Sequence, residues 1–308
     1  MRNRRAPQYL AAGLSTAFVI ATALAITPVR LAALVLLGRS PHCPLRQAVR
    51  AESHARRLIE TKDRILAASR LLEKDPEGFH LWQTPHGRYW IPEGADWGLP
   101  FNLAEQELKI YGTGDWAVRR GDIVLDCGAH VGVYTREALK AGARLVVAVE
   151  PAPENFECLR RNLQAEAAAG RVVLVGKGVW DSEGTMTIRL VPHNPAADTL
   201  VLQPPGARPG GQVALTTIDK LVAELGLARV DYIKMDIEGA EQRALLGAQQ
   251  TLARFKPRLA ISSYHRPDDP EKIPELVRRA RPDYLQQCGP CSYVSESGII
   301  RPDVLYFR

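Results

Sequence analysis

A chain of 308 residues with 46% hydrophobic and 24% charged residues can bury a substantial core, which excludes global disorder. Its net charge of +6 is uneven: residues 1–60 hold nine arginines against Glu52 and Glu60, a net of +7, so the remainder carries −1. A near-neutral remainder offers no cationic track for a phosphate backbone, and nucleic acid is not expected as a partner.

From Leu10 to Ile26 no charge interrupts the chain. As a helix this run would rise about 26 Å, close to the hydrocarbon thickness of a bilayer. Pro28 and Arg30 follow, then a second apolar run, Leu31 to Leu37, expected to lie in or on the membrane. Residues 1–40 therefore read as a single-pass anchor. The competing reading is a cleaved secretory signal, with Arg2, Arg4 and Arg5 as its basic end and Ala23-Leu-Ala25 as the cleavage site. Cleavage there would leave Leu31–Leu37 exposed at the new amino terminus, which favours the uncleaved anchor.

Residues 41–98 read as a helical linker and a hairpin. Leu45–Glu73 has high helix propensity and loose apolar spacing, the pattern of a solvated connecting helix. Phe79–Ile91 has the pattern of two strands around the turn Pro85-His-Gly87. The five cysteines are an odd number, and Cys43, Cys127 and Cys158 fall in linker, strand and helix patterns, so no disulfide framework is expected. Cys288-Gly-Pro-Cys291 has the spacing of a thioredoxin-type motif but no helical pattern after it, and reads as a Gly-Pro turn between strands.

From residue 99 the pattern alternates between strands and helices. Ile123–Cys127 is a short buried-type strand that runs into Gly128-Ala-His-Val-Gly132 and a helical stretch, Tyr134–Ala141. Glycines let such a loop turn sharply and approach a ligand with helix N–H groups behind it. Position 130 is histidine, so the GxGxxG of dinucleotide-binding folds is absent and the spacing is GxxxG. A second strand, Leu145–Val149, ends on Glu150, where an acid can accept hydrogen bonds from two ribose hydroxyls. Strand, glycine loop, helix, strand and acid in that order favour a nucleoside without a pyrophosphate. A nucleotide-dependent oxidoreductase is the weaker alternative, and a tethered binding protein of the same fold without catalysis is another.

After a third strand, Val172–Val175, a strand pair (Met186–Leu190 and Val213–Leu215) is inserted around Pro192–Gly211, a Pro- and Gly-rich stretch expected to form a mobile loop over the acceptor site. In Tyr232-Ile-Lys-Met-Asp236 the period of two puts Lys234 and Asp236 on one side, and Glu238 follows in the turn before a helix over Ala240–Phe255. The fifth strand, Leu259–Ser262, leads to His265, whose ordinary pKa near 6.5 suits a general base, with Asp236 as runner-up. The whole is a doubly wound α/β sheet with a terminal antiparallel hairpin.

Asp126-Cys-Gly-Ala-His-Val-Gly132, Val149-Glu-Pro151 with Asn155 and Asn162, Tyr232-Ile-Lys-Met-Asp-Ile-Glu-Gly-Ala-Glu241, Tyr264-His-Arg-Pro-Asp-Asp269 and the final Val304-Leu-Tyr-Phe307 resemble the signature blocks of the FkbM family of methyltransferases. The resemblance covers about residues 99–308. It implies a class I, Rossmann-like methyltransferase fold, S-adenosyl-L-methionine as cofactor, and O-methylation of a hydroxyl on a sugar, glycolipid or other small molecule. It places Asp126, Gly128, Ala129 and Gly132 around the methionine end and Glu150 on the ribose. Lys177–Asp181, with Val179 and Asp181, falls near the adenine, and Asp236 lies against the cofactor. His265, Asp236, Lys234 and Glu238 are the implied catalytic set. Because that cofactor is made in the cytosol, the catalytic domain is expected on the cytoplasmic face. A metal is not expected, since the end of the fifth strand offers Ser and His where an acid pair would be needed.

Overall fold

The computed structural model describes residues 26–308. Its main sheet has seven strands: β4 (Ile123–Cys127), β5 (Leu145–Val149), β6 (Val172–Val175), β10 (Tyr232–Met235), β11 (Arg258–Ser262), β12 (Gln286–Cys288) and β15 (Val304–Phe307). The order is β12-β15-β11-β10-β4-β5-β6. β4, β5, β6, β10 and β11 pair in parallel, whereas β15 runs antiparallel to both β11 and β12. The sheet is thus mixed. Chain order reverses between β4 and β10, the switch point where open α/β sheets take ligands.

The period of two in these strands divides the core into two layers. Leu125, Val147, Ile233, Leu259 and Phe307 face one layer, and Val124, Val146, Tyr232, Ala260 and Tyr306 face the other. Helices α5 (Val133–Lys140) and α6 (Pro153–Asn162) follow β4 and β5. The stretch expected to be one helix over Ala240–Phe255 is broken at Gly247-Ala248 into α9 (Glu241–Leu246) and α10 (Gln249–Phe255). A Cβ at Gly247 would lie 2.1 Å from the Trp180 carbonyl oxygen, so only glycine fits where the two backbones cross. The inserted pair is present as β8 (Gly184–Leu190) and β9 (Arg208–Thr216), joined by β7 (Gly178–Val179).

The amino-terminal part differs most from expectation. Leu45–Glu73 is not one solvated helix: α2 (Leu45–Ala48) and α3 (Ala51–Ala67) are followed by β1 (Arg70–Lys74), which adds a third strand to the hairpin β2 (Phe79–Thr84) and β3 (Gly87–Pro92). α3 buries Ile65 in a cluster with Tyr89, Ile91, Leu99, Leu103, Val131 and Cys158. Propensity identifies the helix but not the tertiary surface that covers it. The hairpin is fastened by Asn162, whose amide accepts from the Trp90 N–H (2.6 Å) and donates to the carbonyls of Trp90 (2.8 Å) and Val131 (2.9 Å).

The run Leu10–Ile26 lies outside the described residues except for Ile26. Among the described residues no helix is long and apolar enough to cross a membrane. The second apolar run falls in α1 (Thr27–Leu36), which packs on the domain: Leu31 is fully buried with Ala48, Ala51, Cys288, Cys291 and Ile300, while Leu36 and Leu37 are exposed. A disulfide also overturns the expectation that cysteine spacing carries no framework, for Cys43 is bonded to Cys291 across 248 residues of sequence. The Gly-Pro turn stands as expected between β12 and β13 (Cys291–Val294), but it holds a bonded cysteine. Cys43 and Cys291 meet only because α1 and α2 fold back onto the β13–β14 hairpin (β14, Ile299–Pro302), a contact with no local signature.

Candidate active site

The cleft opens at the carboxyl ends of β4, β5 and β10 and encloses about 830 Å³, continuous with solvent. Its floor is set by the pairing of β4 with β10, in which Asp126 and Lys234 stand opposite each other. Lys234 is buried. Its Nζ donates to the Gly128 carbonyl (2.8 Å) and lies 3.5 Å from Asp126 Oδ1 and 4.0 Å from Asp236 Oδ2. Burial alone would lower the lysine pKa, but Asp126 and Asp236 more than offset it and hold the ammonium charged. Asp126 is also pushed up by burial, against the pull of Lys234, and accepts from Thr135 Oγ1 at 2.6 Å. Asp126 and Lys234 therefore shape the loop from beneath.

Gly128 has φ of 80°, and a Cβ there would sit 1.9 Å from the Asp236 carbonyl oxygen. Only glycine lets the β4 and β10 exits pass this closely. Gly132, with φ of 92°, begins α5 against Leu159 and Leu163 and does not line the cleft. Gly128 and Ala129 do line it. Between them and Gly132 stands His130, left-handed at φ 49°, with both ring nitrogens buried and without a hydrogen-bond partner. Burial, with Lys234 nearby, lowers its pKa to about 4, so it is neutral at physiological pH.

Glu150 follows β5 into the cleft. Its Oε2 accepts from the His130 N–H (2.8 Å) and its Oε1 from the Ala152 N–H (2.9 Å), which fixes the carboxylate with lone pairs to spare. Burial pushes its pKa up to about 6. Beyond it lie Lys177, Gly178 and Val179. Asp181 is not brought to this site: its carboxylate pairs with Arg243 at 2.6 Å outside the cleft.

The opposite end is built from distant segments. Asn102, Glu105 and Gln106 project from α4 (Gly98–Glu107), joined by Tyr111, whose hydroxyl donates to Asp236 Oδ2 at 2.8 Å. Glu105 is pushed up to about 8, by burial and then by the neighbouring Asp236 charge. Pro195, Ala196, Asp198 and Leu200 of the inserted stretch close over the cleft, tied down where Asn155 Nδ2 donates to the Pro195 carbonyl (2.9 Å) and Thr199 Oγ1 to that of Glu238 (2.7 Å). The Pro- and Gly-rich stretch is thus placed over the cleft.

Asp236 and Glu238 both line the cleft, Glu238 with φ of 52°. Burial favours the neutral acid at both. At Asp236 it is outweighed by Lys234 and His265, leaving the pKa low, whereas at Glu238 it prevails and the pKa is raised. His265 stands behind them and does not line the cleft. Its side chain is 3% exposed, with Nδ1 2.9 Å from Glu241 Oε1 and Nε2 3.4 Å from Glu238 Oε2 and 3.7 Å from Asp236 Oδ1. Burial lowers the imidazole pKa, but Glu241 and Glu238 more than reverse this and hold it well above the ordinary value. That is the opposite of a free base poised near 6.5 at the reacting oxygen.

Sequence reading thus places Lys234, Asp236, Glu238, Gly128, Ala129, Glu150 and Val179 at the cleft. It misses Asn102, Glu105, Gln106, Tyr111, His130, Asn155 and Asp198 as lining residues. A signal existed for the α4 group, since positions 102, 105 and 106 share one helical face. Its orientation toward the cleft had none.

Five carboxylates (Glu105, Glu150, Asp198, Asp236 and Glu238) face the cleft against Lys177 and Lys234. Such a lining repels a pyrophosphate and suits a cationic nucleoside. Sheet order, switch point and the acid after β5 together define an α/β fold of the methyltransferase type. Residues 126–289 match the sequence profile of the methyltransferase FkbM domain. The chain belongs to the FkbM methyltransferase family. It is 28% identical over 161 residues to the 31-O-demethyl-FK506 methyltransferase FkbM of Streptomyces tacrolimicus, covering 43% of this chain and 61% of that one. It is 26% identical over 156 residues to methyltransferase sdnD of Sordaria araneosa, covering 41% and 60%. The chain thus spans about three fifths of the length of these curated relatives. Among solved structures, methyltransferase FkbM from Methylobacillus flagellatus KT is similar with a TM-score of 0.44 and 21% identity, over 84% of this chain and 60% of that one.

The cofactor of the family is S-adenosyl-L-methionine, and the residues present fit it. Glu150 keeps free lone pairs where a ribose edge would lie. The partnerless Asn155 Oδ1 and His130 nitrogens offer further polar contacts, and the acidic lining complements a sulfonium charge.

Proposed function

We propose that this chain is an S-adenosyl-L-methionine-dependent O-methyltransferase acting on a hydroxyl of a sugar, glycolipid or other small molecule. The observation that carries this reading is the acid-rich cleft, with Glu150 fixed by two backbone N–H groups at one end and Asn102, Glu105 and Gln106 at the other. Carboxylates and amides on one helical face can exchange hydrogen bonds with several hydroxyls at once, which a polyol presents and a hydrocarbon does not. The name of one curated relative, a 31-O-demethyl-FK506 methyltransferase, supports methyl transfer to oxygen, and that of the other, methyltransferase sdnD, supports methyl transfer.

Bound S-adenosyl-L-methionine supplies a methyl group for in-line displacement by the acceptor oxygen. Glu150 would hold the ribose, Gly128 and Ala129 would admit the methionine end, and Val179 would meet the adenine. Lys234, held by Asp126, fixes the loop. Much of the rate comes from holding the reactants in contact, which the α4 group and the strap over Pro195–Leu200 supply by excluding water. The hydroxyl proton goes to the ionised form of Glu105, which faces the cleft; with its pKa pushed up to about 8 by burial, turnover is expected to rise as pH approaches 8. His265 acts through Asp236 and Glu238 and is assigned as a positioning residue.

Calorimetric titration with S-adenosyl-L-methionine and, separately, with NAD tests the reading. Saturable binding of the former that is weakened at least tenfold by Glu150→Ala supports it. Absence of binding by a folded chain would refute it. We also propose that residues 10–26 anchor the protein to a membrane, supported by the uncharged run and the three arginines before it. The Cys43–Cys291 bond bears on which side the domain faces, because disulfides persist in oxidising compartments. Protease accessibility in intact and permeabilised cells decides that orientation.

A further inference from the structure

Four side chains meet behind the acceptor end of the cleft: Asp236 and Glu238 after β10, Glu241 at the start of α9, and His265 after β11. We propose that they form a divalent-cation site, with His265 Nε2, Asp236 Oδ1 and Glu238 Oε2 as ligands and Glu241 as the residue that orients the imidazole.

The first argument is satisfaction of buried polar atoms. Asp236 Oδ1, Glu241 Oε2 and His265 Nε2 are all buried without a hydrogen-bond partner, and the His265 side chain is only 3% exposed. Buried polar groups are otherwise almost always paired, so three in one place call for an explanation. Asp236 spends its other oxygen on the Tyr111 hydroxyl, which leaves Oδ1 directed at the imidazole. Ligand atoms of Asp236, Glu241 and His265 all lie within 4.8 Å of one another.

Geometry and tautomer point the same way. The Nε2 separations of 3.4 and 3.7 Å exceed a hydrogen bond. Two ligands of one ion at about 2.0–2.2 Å lie roughly 3.0–3.6 Å apart in octahedral or tetrahedral arrangements, close to the distance of each of these carboxylates from Nε2. Glu241 Oε1 accepts from the Ile237 N–H (2.9 Å) and stands 2.9 Å from His265 Nδ1. An ionised carboxylate only accepts, so Nδ1 keeps a proton, and an incoming ion would displace the Nε2 proton from the side of the ring that faces Asp236 and Glu238. This carboxylate–imidazole relay is how metal-bound histidines are oriented.

Charge completes the case. Asp126 and Asp236 face Lys234, and Asp236, Glu238 and Glu241 face His265, so four acids surround two cationic groups. A divalent ion balances that excess more fully than one proton does. One imidazole and two carboxylates suit a borderline ion such as Mn²⁺ or Zn²⁺ better than an all-oxygen ion such as Ca²⁺. Because Asp236 and Glu238 line the cleft, the remaining coordination positions would face it and take a hydroxyl oxygen, lowering that hydroxyl's pKa. This last role rests on the methyl-transfer reading, whereas the ion site does not. The end of the fifth strand lacks an acid pair, as its sequence shows. Glu241 and Glu238, from the turn and helix after β10, supply the acids instead.

The test is titration of the chelator-treated full chain with Mn²⁺, following the loss of the aqueous ion's electron paramagnetic resonance signal. One ion per chain is expected, with spin-echo modulation from a single imidazole nitrogen, and Glu238→Gln and His265→Gln should each weaken binding at least tenfold. The modulation is read on the unmodified chain, so a variant that fails to fold does not leave the proposal untested. No stoichiometric binding, no nitrogen modulation, or affinity unchanged in a folded Glu238→Gln chain would overturn it. S-adenosyl-L-methionine binding is measured in parallel: binding of cofactor without ion refutes the site alone, and binding of ion without cofactor refutes the methyltransferase reading alone.

Discussion

The two ends of the cleft are assembled by different means. At the cofactor end, a continuous stretch from Asp126 to Glu150 supplies strand, glycine loop and acid, and two backbone N–H groups hold the Glu150 carboxylate. At the end we propose for the acceptor, α4, the tail of β10 and the inserted stretch contribute residues from positions 102 to 238, held by side-chain contacts such as Tyr111 to Asp236 and Asn155 to Pro195. The first arrangement is fixed by local backbone geometry and tolerates little change. The second depends on packing between separate elements, and can vary without disturbing the first.

The largest expected effect lies where the two ends touch. Gly128→Ala would drive a Cβ into the Asp236 carbonyl, and because both partners are backbone neither can yield cheaply. A loss of more than about 4 kcal/mol of stability is expected, read by denaturant unfolding. A wild-type midpoint in that variant would show that the two strand exits are not in contact.

Glu105→Gln should separate the ends cleanly. Turnover is expected to fall about 10²- to 10⁴-fold while affinity for S-adenosyl-L-methionine stays within about twofold. Equal loss of both would place Glu105 in the cofactor half and remove it as the proton acceptor.

A smaller effect concerns pH. Glu150 has its folded-state pKa raised from 4.5 to about 6, so between these values the folded chain binds more protons than the unfolded one. Its contribution to stability is therefore full below pH 4.5 and is lost as pH rises toward 6, amounting to roughly 2 kcal/mol. Melting curves of the wild type and Glu150→Gln should diverge across that window, the variant being the more stable above it. Parallel curves would mean that the carboxylate is not desolvated.

The smallest effect sharpens the boundary of the cofactor end. Asp181 pairs with Arg243 at an exposed position outside the cleft. Asp181→Ala should leave cofactor affinity unchanged within about twofold, as for other exposed ion pairs. A tenfold loss would bring Asp181 back to the adenine.

How far each region was legible follows from how it is built. Short, nearly continuous apolar runs in β4, β5 and β11 announce strands buried on both faces, and their order with the intervening helices implies a doubly wound sheet. Glu150 could be found because its role depends on its place after a strand. His265 was found but misread: its position after β11 is visible in sequence, while Glu241 and Glu238 on either side of the ring come from another segment. Asp181 sits in the right stretch of chain, yet a neighbouring helix turns it to Arg243. Leu31 reads as part of an apolar run in or on a membrane, yet it is buried on the β13–β14 hairpin beside a disulfide that no cysteine spacing announces.

Sequence by itself determined the parallel strands of the sheet, the glycine loop that needs Gly128, and the acid that follows β5, because each depends on residues within a few positions of one another and on a backbone that has few choices. Tertiary structure decided which helix lines the far end of the cleft, what surrounds His265, and where Cys43 and Leu31 are buried. Those outcomes depend on contacts between segments tens to hundreds of residues apart, whose formation is set by the packing of the whole chain and leaves no periodic trace in any one of them.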